Sequence, residues 1–388
     1  MGYAHARQCD RQGPNEPEGQ LLKLAFLGTR GIPANYGGFE TFVEEVAVRL
    51  AARGHDVTVY CRSTNYDEIL TEYRGVRLVA LPSIHTKHLD SISHTFFSTV
   101  HMALTRTGKA ACYCSSGNST FLWLARLFGV KVALNTDGLE WERAKWSKWA
   151  QRYFKFAEWW GAKTANVLIS DSRVIREYYL QKFKRDTTYI AYGADIVERG
   201  RGCELVAQYG VEPGKYFLFV SRLEPENNAH ILVKAFEEVR TDMKLLIVGS
   251  APFAHEYIRD LKSTQDPRIL FPGALYGDAY KALQANAYVY VNAMEVGGTH
   301  PAILEAMGAG NCVLVSDISY NVEAVAHAGV AFKNRDTHDL RDKIQWLVDH
   351  PEEVDKYGHE AVERVRREYD WDQITEDYER LFAQLIAG

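Results

Sequence analysis

Apolar and polar positions alternate along this chain in a repeating order. Short apolar runs are each followed by a stretch in which apolar residues recur every three or four positions. The runs at 21–27, 57–61, 76–81, 110–114, 131–135 and 167–170 read as buried strands. After the first run, Phe39, Phe42, Val43, Val46, Ala47 and Leu50 fall at helical spacing, and Gly54 ends that helix. Strand then helix, repeated, predicts a parallel, doubly wound sheet. The pattern pauses around residues 189–195, and Gly200, Gly202, Gly210 and Gly214 cluster just beyond, so a domain boundary is expected close to Asp195. A second unit then begins, with strands at 216–220, 245–248, 269–271, 288–292 and 312–316 and a helix over 229–240. The end differs: 351–368 and 371–386 are helical with no strand between them, and Asp370 is placed to cap the last helix.

This organisation predicts four parts. They are a polar leader at 1–20 that lacks an apolar signal core, an N-terminal α/β domain at 21–195, a C-terminal α/β domain at 196–369, and a closing helix at 370–388. A length of 388 residues fits two domains.

Two glycine-rich loops sit at matching places in the two halves. The first is Gly28-Thr29-Arg30-Gly31-Ile32-Pro33-Ala34-Asn35-Tyr36-Gly37-Gly38-Phe39-Glu40, and the second runs from Gly297-Gly298-Thr299-His300-Pro301 to Glu305 and Gly308. Each follows an apolar run and opens a helical pattern. Glycine lets backbone approach an anion, and the N–H groups of a helix start then face it. Two such loops in two domains predict a ligand held in a cleft between them.

Composition narrows the chemistry. The chain is 46% apolar and 24% charged, with a formal net charge of −5, which argues against a nucleic-acid partner. Six cysteines show no paired metal spacing. Cys112 and Cys114 share one face of a strand, so they are expected as buried free thiols suited to a reducing cytosol. No apolar run reaches membrane-spanning length.

At these residues the chain resembles the retaining family 4 glycosyltransferases, of the GT-B fold, over nearly its whole length from about residue 22. Ser221-Arg222-Leu223-Glu224-Pro225-Glu226-Asn227-Asn228 looks like that family's first donor-domain loop, and Gly297–Gly308 looks like its donor-binding loop and helix. Asn135-Thr136-Asp137-Gly138-Leu139-Glu140-Trp141-Glu142-Arg143-Ala144-Lys145-Trp146 is more specific. Together with the first glycine loop it resembles a bacterial subgroup that includes dTDP-rhamnose-dependent rhamnosyltransferases, which build cell-surface polysaccharide on lipid-linked acceptors. Two departures stand out. Gly297 occupies the place of a usual Glu, with Glu295 two residues upstream, and Asn227 replaces a usual Lys. Both look characteristic of the subgroup.

The resemblance implies a GT-B fold of two Rossmann-like domains, with the closing helix crossing back to the N-terminal domain. It implies glycosyl transfer from a nucleotide sugar, with no cofactor and no metal. Such a donor carries a diphosphate leaving group whose charge must be held as the bond breaks. Arg222 offers a rigid donor fork. The N–H groups of Gly298, Thr299 and His300 offer a helix start, and Gly37 and Gly38 approach from the facing domain. Glu305 is expected on the nucleotide sugar hydroxyl. Glu226 and Asn227 are expected on the donor, with Glu226 otherwise capping the following helix; Asn228 is the favoured cap. Asp137, with Glu140 and His94, is a candidate to receive the acceptor proton. Asp137 also fits an Asx turn at the strand exit, and His94 fits a satisfied local histidine. Asp370-Trp371-Asp372 reads as a helix cap and not a metal site.

Residues 141–163 stand apart. Trp141, Trp146, Trp149, Trp159 and Trp160 are five of the chain's eight tryptophans, and six bases from Arg143 to Lys163 outnumber Glu142 and Glu158. Interleaved rings and bases suit a helix at a bilayer surface, or a helix packed on the sheet. The expected place is cytoplasmic, peripheral at the inner face of the plasma membrane. Other readings are a glycosyltransferase using a UDP- or GDP-hexose, a UDP-sugar 2-epimerase, which needs no acceptor, and a non-catalytic sugar-nucleotide binder. A nicotinamide dehydrogenase fits less well, because neither loop has a compact G-x-G-x-x-G.

Overall fold

A computed structural model describes residues 21–34, 37–66, 68–86, 89–143, 146–251 and 254–388. The predicted leader at 1–20 and Lys145 lie outside them.

The apolar runs form two sheets. In the first, β1 (Lys23–Leu27), β2 (Asp56–Arg62), β3 (Glu72–Tyr73), β4 (Val76–Leu81), β5 (Ala110–Cys114), β6 (Lys131–Asn135), β7 (Val167–Ser170) and β8 (Thr188–Tyr189) stand in the order β3-β4-β2-β1-β5-β6-β7-β8. In the second, β9 (Tyr216–Val220), β10 (Lys244–Val248), β11 (Ile269–Gly273), β12 (Val289–Asn292), β13 (Cys312–Ser316) and β14 (Val330–Phe332) stand in the order β11-β10-β9-β12-β13-β14. All pairings are parallel except the short β3–β4 hairpin. Parallel strands covered by helices on both faces are buried throughout, which is why they read as near-continuous apolar runs. β3, β8 and β14 are too short to give such a run.

In each sheet the strand order reverses beside the first strand, at β1/β5 and at β9/β12. Loops leaving the strand ends splay apart there and open a crevice. The two glycine loops and the Ser221–Asn228 loop leave from these two reversal points.

Helices α1 (Gly38–Ala52), α2 (Asp90–Thr105), α3 (Leu122–Leu127), α4 (Lys148–Thr164) and α5 (Arg173–Phe183) wrap the first sheet. The last helix, Trp371–Ala387, is capped by Asp370, whose carboxylate accepts the N–H groups of Asp372 and Gln373 at 3.0 Å each. It packs on the N-terminal domain. Phe382 meets Phe26 edge-on, Tyr378 tilts against Phe42, and Glu379 pairs with Arg53 at 2.7 Å. One apolar core therefore runs from the first sheet through this helix into the second. Cys112 and Cys114 lie in that core as free thiols.

Candidate active site

A cleft of about 780 Å³ lies between the domains. Its N-terminal wall is set by Gly28, where β1 meets β5. Gly28 has φ +93°, and a Cβ there would stand 2.6 Å from the Cys114 carbonyl. Asn118 locks this junction. Its Nδ2 donates to the carbonyls of Gly28 (3.1 Å) and Cys114 (2.7 Å), and its Oδ1 accepts from Thr95 (2.9 Å) and Ser91 (3.2 Å). Glu40 is buried on α1 and accepts the Arg30 N–H at 2.9 Å. Burial raises its carboxyl above the usual range, against the pull of the arginines near it.

The C-terminal wall carries Arg222, which forms no ion pair among the described residues. The loop holding it is braced by Asn227, whose Nδ2 donates to the Arg222 carbonyl at 2.6 Å. Asn228 precedes the next helix in the left-handed region (φ 58°), and its amide reaches the Ala293 carbonyl at 3.0 Å. It therefore caps that helix with backbone, not with its side chain. Beyond β12, Gly297 and Gly298 lead into the helix Pro301–Gly308, with His300 at its cap position. Burial, with Arg143 and Arg222 nearby, lowers the His300 imidazole to about 3, so it is neutral at physiological pH. One Glu305 oxygen is held by the Tyr280 hydroxyl, which also accepts from Gln284 at 2.9 Å.

The two walls touch, among the described residues, through Gly138, Gly38, Asp171 and Arg143. A Cβ on Gly138 would stand 2.3 Å from backbone atoms of Gly297 and Gly298, and one on Gly38 would stand 2.7 Å from the Pro301 ring. Asp171 Oδ2 accepts the Thr299 N–H at 2.7 Å. Arg143 donates to Glu140 at 2.8 Å and across the cleft to Glu226 at 3.1 Å.

Asp137 sits at this meeting point with φ 49°. Asn135 makes the turn at the strand exit, its Oδ1 accepting the Asp137 N–H at 3.2 Å. The Asx turn expected of Asp137 thus belongs to its neighbour, and the Asp137 carboxyl faces the cleft. Burial first, and the Glu140 carboxylate second, raise Asp137 to about 6, against the pull of Arg143 and Arg222. Burial and Asp137 raise Asp171 to about 7.

Of the predicted site residues, Asp137, Glu140, Arg222, Gly298, Thr299, His300, Glu305, Gly37 and Gly38 line one cleft. Three do not. Glu226 is buried against Arg143, and its side chain does not cap the following helix. Asn227 is spent on the Arg222 carbonyl. His94, on α2, is fully buried and donates from Nε2 to the Cys61 carbonyl at 3.0 Å, outside the cleft lining. Burial lowers it to about 4, as suits a neutral core histidine. Asp171, Arg143, Asn118 and Tyr280 were not singled out as site residues from the sequence, although Arg143 was counted among the bases.

Residues 22–195 match a family described as a domain of unknown function (DUF1972), and residues 214–350 match the family Glycosyl transferases group 1. Sucrose-phosphate synthase from Thermosynechococcus elongatus superposes with a TM-score of 0.78 at 20% identity, over 94% of this chain and 99% of that one. The chain has the GT-B fold. Anabaena HepE, solved in complex with UDP-glucose, superposes on this GT-B chain with a TM-score of 0.77 at 17% identity, over 94% of it and all of HepE. The uncharacterized glycosyltransferase MJ1069 of Methanocaldococcus jannaschii is 20% identical over 239 residues, 58% of this chain. The match spans 60% of MJ1069, less than two thirds of that relative. Residues 214–350 of this GT-B chain are thus similar to the group 1 glycosyl transferases, and the cleft lies between that segment and the N-terminal half.

Proposed function

We propose that this chain is a retaining, metal-independent glycosyltransferase that moves L-rhamnose from dTDP-β-L-rhamnose to a lipid-linked saccharide in bacterial cell-surface polysaccharide synthesis. The observation that carries the transfer reading is the cleft itself. A guanidinium without an ion-pair partner among the described residues, Arg222, faces a glycine loop at a helix start, and both line one cavity with Asp137. Arg222 and the N–H groups of Gly298 and His300 hold the diphosphate as its bond to the sugar breaks. Those donors supply the charge that a metal would otherwise supply. Glu305, fixed by Tyr280, accepts from the nucleotide sugar hydroxyl. Neutral His300 offers a hydrogen bond and not a proton.

In the proposed step the acceptor hydroxyl attacks the anomeric carbon from the face the diphosphate leaves. The C–O bond to the diphosphate breaks with its electron pair, and the departing phosphate oxygen takes the acceptor proton. No carboxylate nucleophile is needed, and Asp137 shapes the site beside the anomeric carbon. Walls that meet at Gly138–Gly298 exclude water and so limit donor hydrolysis.

Rhamnose rests on the Asn135–Trp146 motif and its likeness to rhamnosyltransferases. A second reading, a UDP-hexose donor, is favoured by the UDP-glucose bound to HepE. A lipid-linked acceptor places the chain in the cytoplasm at the inner face of the plasma membrane, with the segment from Trp141 to Lys163 toward the bilayer. Calorimetry with dTDP-rhamnose, UDP-glucose and a GDP-hexose tests donor choice. Saturable binding of the first alone, weakened at least tenfold by Arg222→Ala, supports rhamnose. Preference for UDP-glucose discards rhamnose and keeps transfer, and no binding of any donor refutes the reading.

A further inference from the structure

The side chains that α4 exposes are of two kinds. Its exposed bases are Lys148, Arg152, Lys155 and Lys163, and its exposed rings are Trp149, Phe156 and Trp159. Every other described residue of the helix is buried or half-buried. The positions 149, 152, 156, 159 and 163 advance by three or four, so three rings and two bases share one outer stripe. The Arg152 guanidinium lies 5.1 Å from the centre of the Trp149 ring. The opposite face, with Ala157, Gly161 and Ala162, packs on the N-terminal domain. The rings of this helix therefore divide, and the outer three stay exposed, with Phe156 and Trp159 meeting each other and Trp160 on the same helix.

The neighbouring helices continue the pattern. α3 exposes Trp123, Arg126 and Leu127, and α2 exposes Phe96, Phe97, Leu104 and Thr105. None of the exposed side chains on α2, α3 and α4 is acidic, although the whole chain carries a formal net charge of −5. Trp149 is 78% exposed, Leu127 73% and Leu104 71%. Water is a poor solvent for so many large apolar side chains on three adjoining helices, and a face of this kind marks an interaction surface. α2 also connects this surface to the cleft, since Ser91 near its start lines the cleft. No helix among the described residues is long and apolar enough to cross a membrane.

We propose that α2, α3 and α4 together form a platform that binds the surface of an anionic phospholipid bilayer. The rings and leucines enter the headgroup layer, and the bases meet lipid phosphate. Each base near an anionic surface adds to the attraction, and salt screens that attraction. The absence of exposed acid favours an anionic lipid surface over a protein of mixed charge. This deepens the reading of a lipid-linked acceptor, because a chain seated this way turns one end of its cleft to the bilayer.

The test is co-sedimentation of the full chain with vesicles of phosphatidylcholine alone or with one third phosphatidylglycerol. The expected result is binding to the anionic vesicles that weakens with salt. A Trp149→Ala, Phe156→Ala, Trp159→Ala variant should lose at least tenfold in partitioning, as should a variant with Lys148, Arg152, Lys155 and Lys163 changed to Gln. All seven positions are exposed, so both variants should keep the parent's far-ultraviolet spectrum and its affinity for nucleotide sugar. Equal binding by parent and variants, or none by the folded parent, overturns the proposal. A parent that ignores vesicles and forms a dimer the aromatic variant cannot form overturns it in favour of a second copy of this chain. Vesicle binding is read without turnover, so failure to find a donor would sink the proposed reaction and leave this result standing.

Discussion

The carboxylate of Asp171, just past the end of β7, accepts the backbone N–H of Thr299 at 2.7 Å, and the Thr299 hydroxyl donates to the Asp171 carbonyl at 3.2 Å. One N–H of the donor loop is thereby supplied with an acceptor from the other domain. Gly298 leaves room for this, since a Cβ there would stand 2.6 Å from the same carboxylate oxygen. The shape of the loop thus depends on the two domains being together.

Removing the acceptor should loosen the loop. Asp171→Ala leaves a buried N–H unpaired, at a cost of about 1–3 kcal/mol. Transfer should fall roughly ten- to a hundredfold by the same energy. Asp171→Asn keeps an amide oxygen and should recover most of it. Steady-state kinetics of the three proteins checks this, and equal loss in both variants would contradict the hydrogen-bonding role.

Close approach of backbone predicts a second effect. Gly138→Ala and Gly298→Ala each place a methyl where the domains touch. Each domain should fold as before, because the clash is between them. Transfer should drop on the order of a hundredfold, as expected for about 1 Å of misplacement. Unchanged melting temperature with lost turnover is the expected pair of results.

Arg143 and Glu226 predict a stability effect. Their side chains are 10% and 5% exposed. Arg143→Ala strands Glu226 and Glu140 without their guanidinium and should cost about 3–5 kcal/mol in chemical denaturation. Arg143→Met combined with Glu226→Leu should cost less than Arg143→Ala, because the more deeply buried carboxylate, Glu226, is then removed and only Glu140 loses its guanidinium.

Much of the fold was legible because parallel strands buried on both faces must read as apolar runs. The cleft was legible because glycine is needed where backbone nears an anion or another backbone. What escaped was set by the other domain. Asp171 stands next to Ser172, which caps α5 by accepting the Ile175 N–H, so locally the pair reads as a helix start. Only Thr299, 128 residues away, gives Asp171 its role. The ion pair of Glu226 escaped for the same reason, since its partner Arg143 lies 83 residues upstream. His94 read as a site residue because sequence does not show that its ring turns inward to Cys61.

The raised carboxyls predict a pH effect of definite sign. Asp137 and Asp171 hold protons in the folded chain up to about 6 and about 7, against an ordinary 3.8. Between those values the folded state binds more protons than the unfolded one. This contribution to stability is therefore fully present below the ordinary value and lost as pH rises through 6 to 7. Asp137→Asn removes its share of that loss. Its melting temperature should gain on the parent's between pH 5 and pH 8, and a gain running the other way would contradict the assignment.

The central claim is sugar transfer from a nucleotide donor in the interdomain cleft. The most direct measurement is nucleotide release from dTDP-rhamnose, UDP-hexoses and GDP-hexoses, with EDTA present, with and without a lipid-linked saccharide. The account predicts acceptor-dependent release from dTDP-rhamnose, lost in Arg222→Ala. Acceptor-dependent release from a UDP- or GDP-hexose would correct the donor alone. An isomerised donor formed without acceptor, or folded protein that binds no donor at all, would contradict the account.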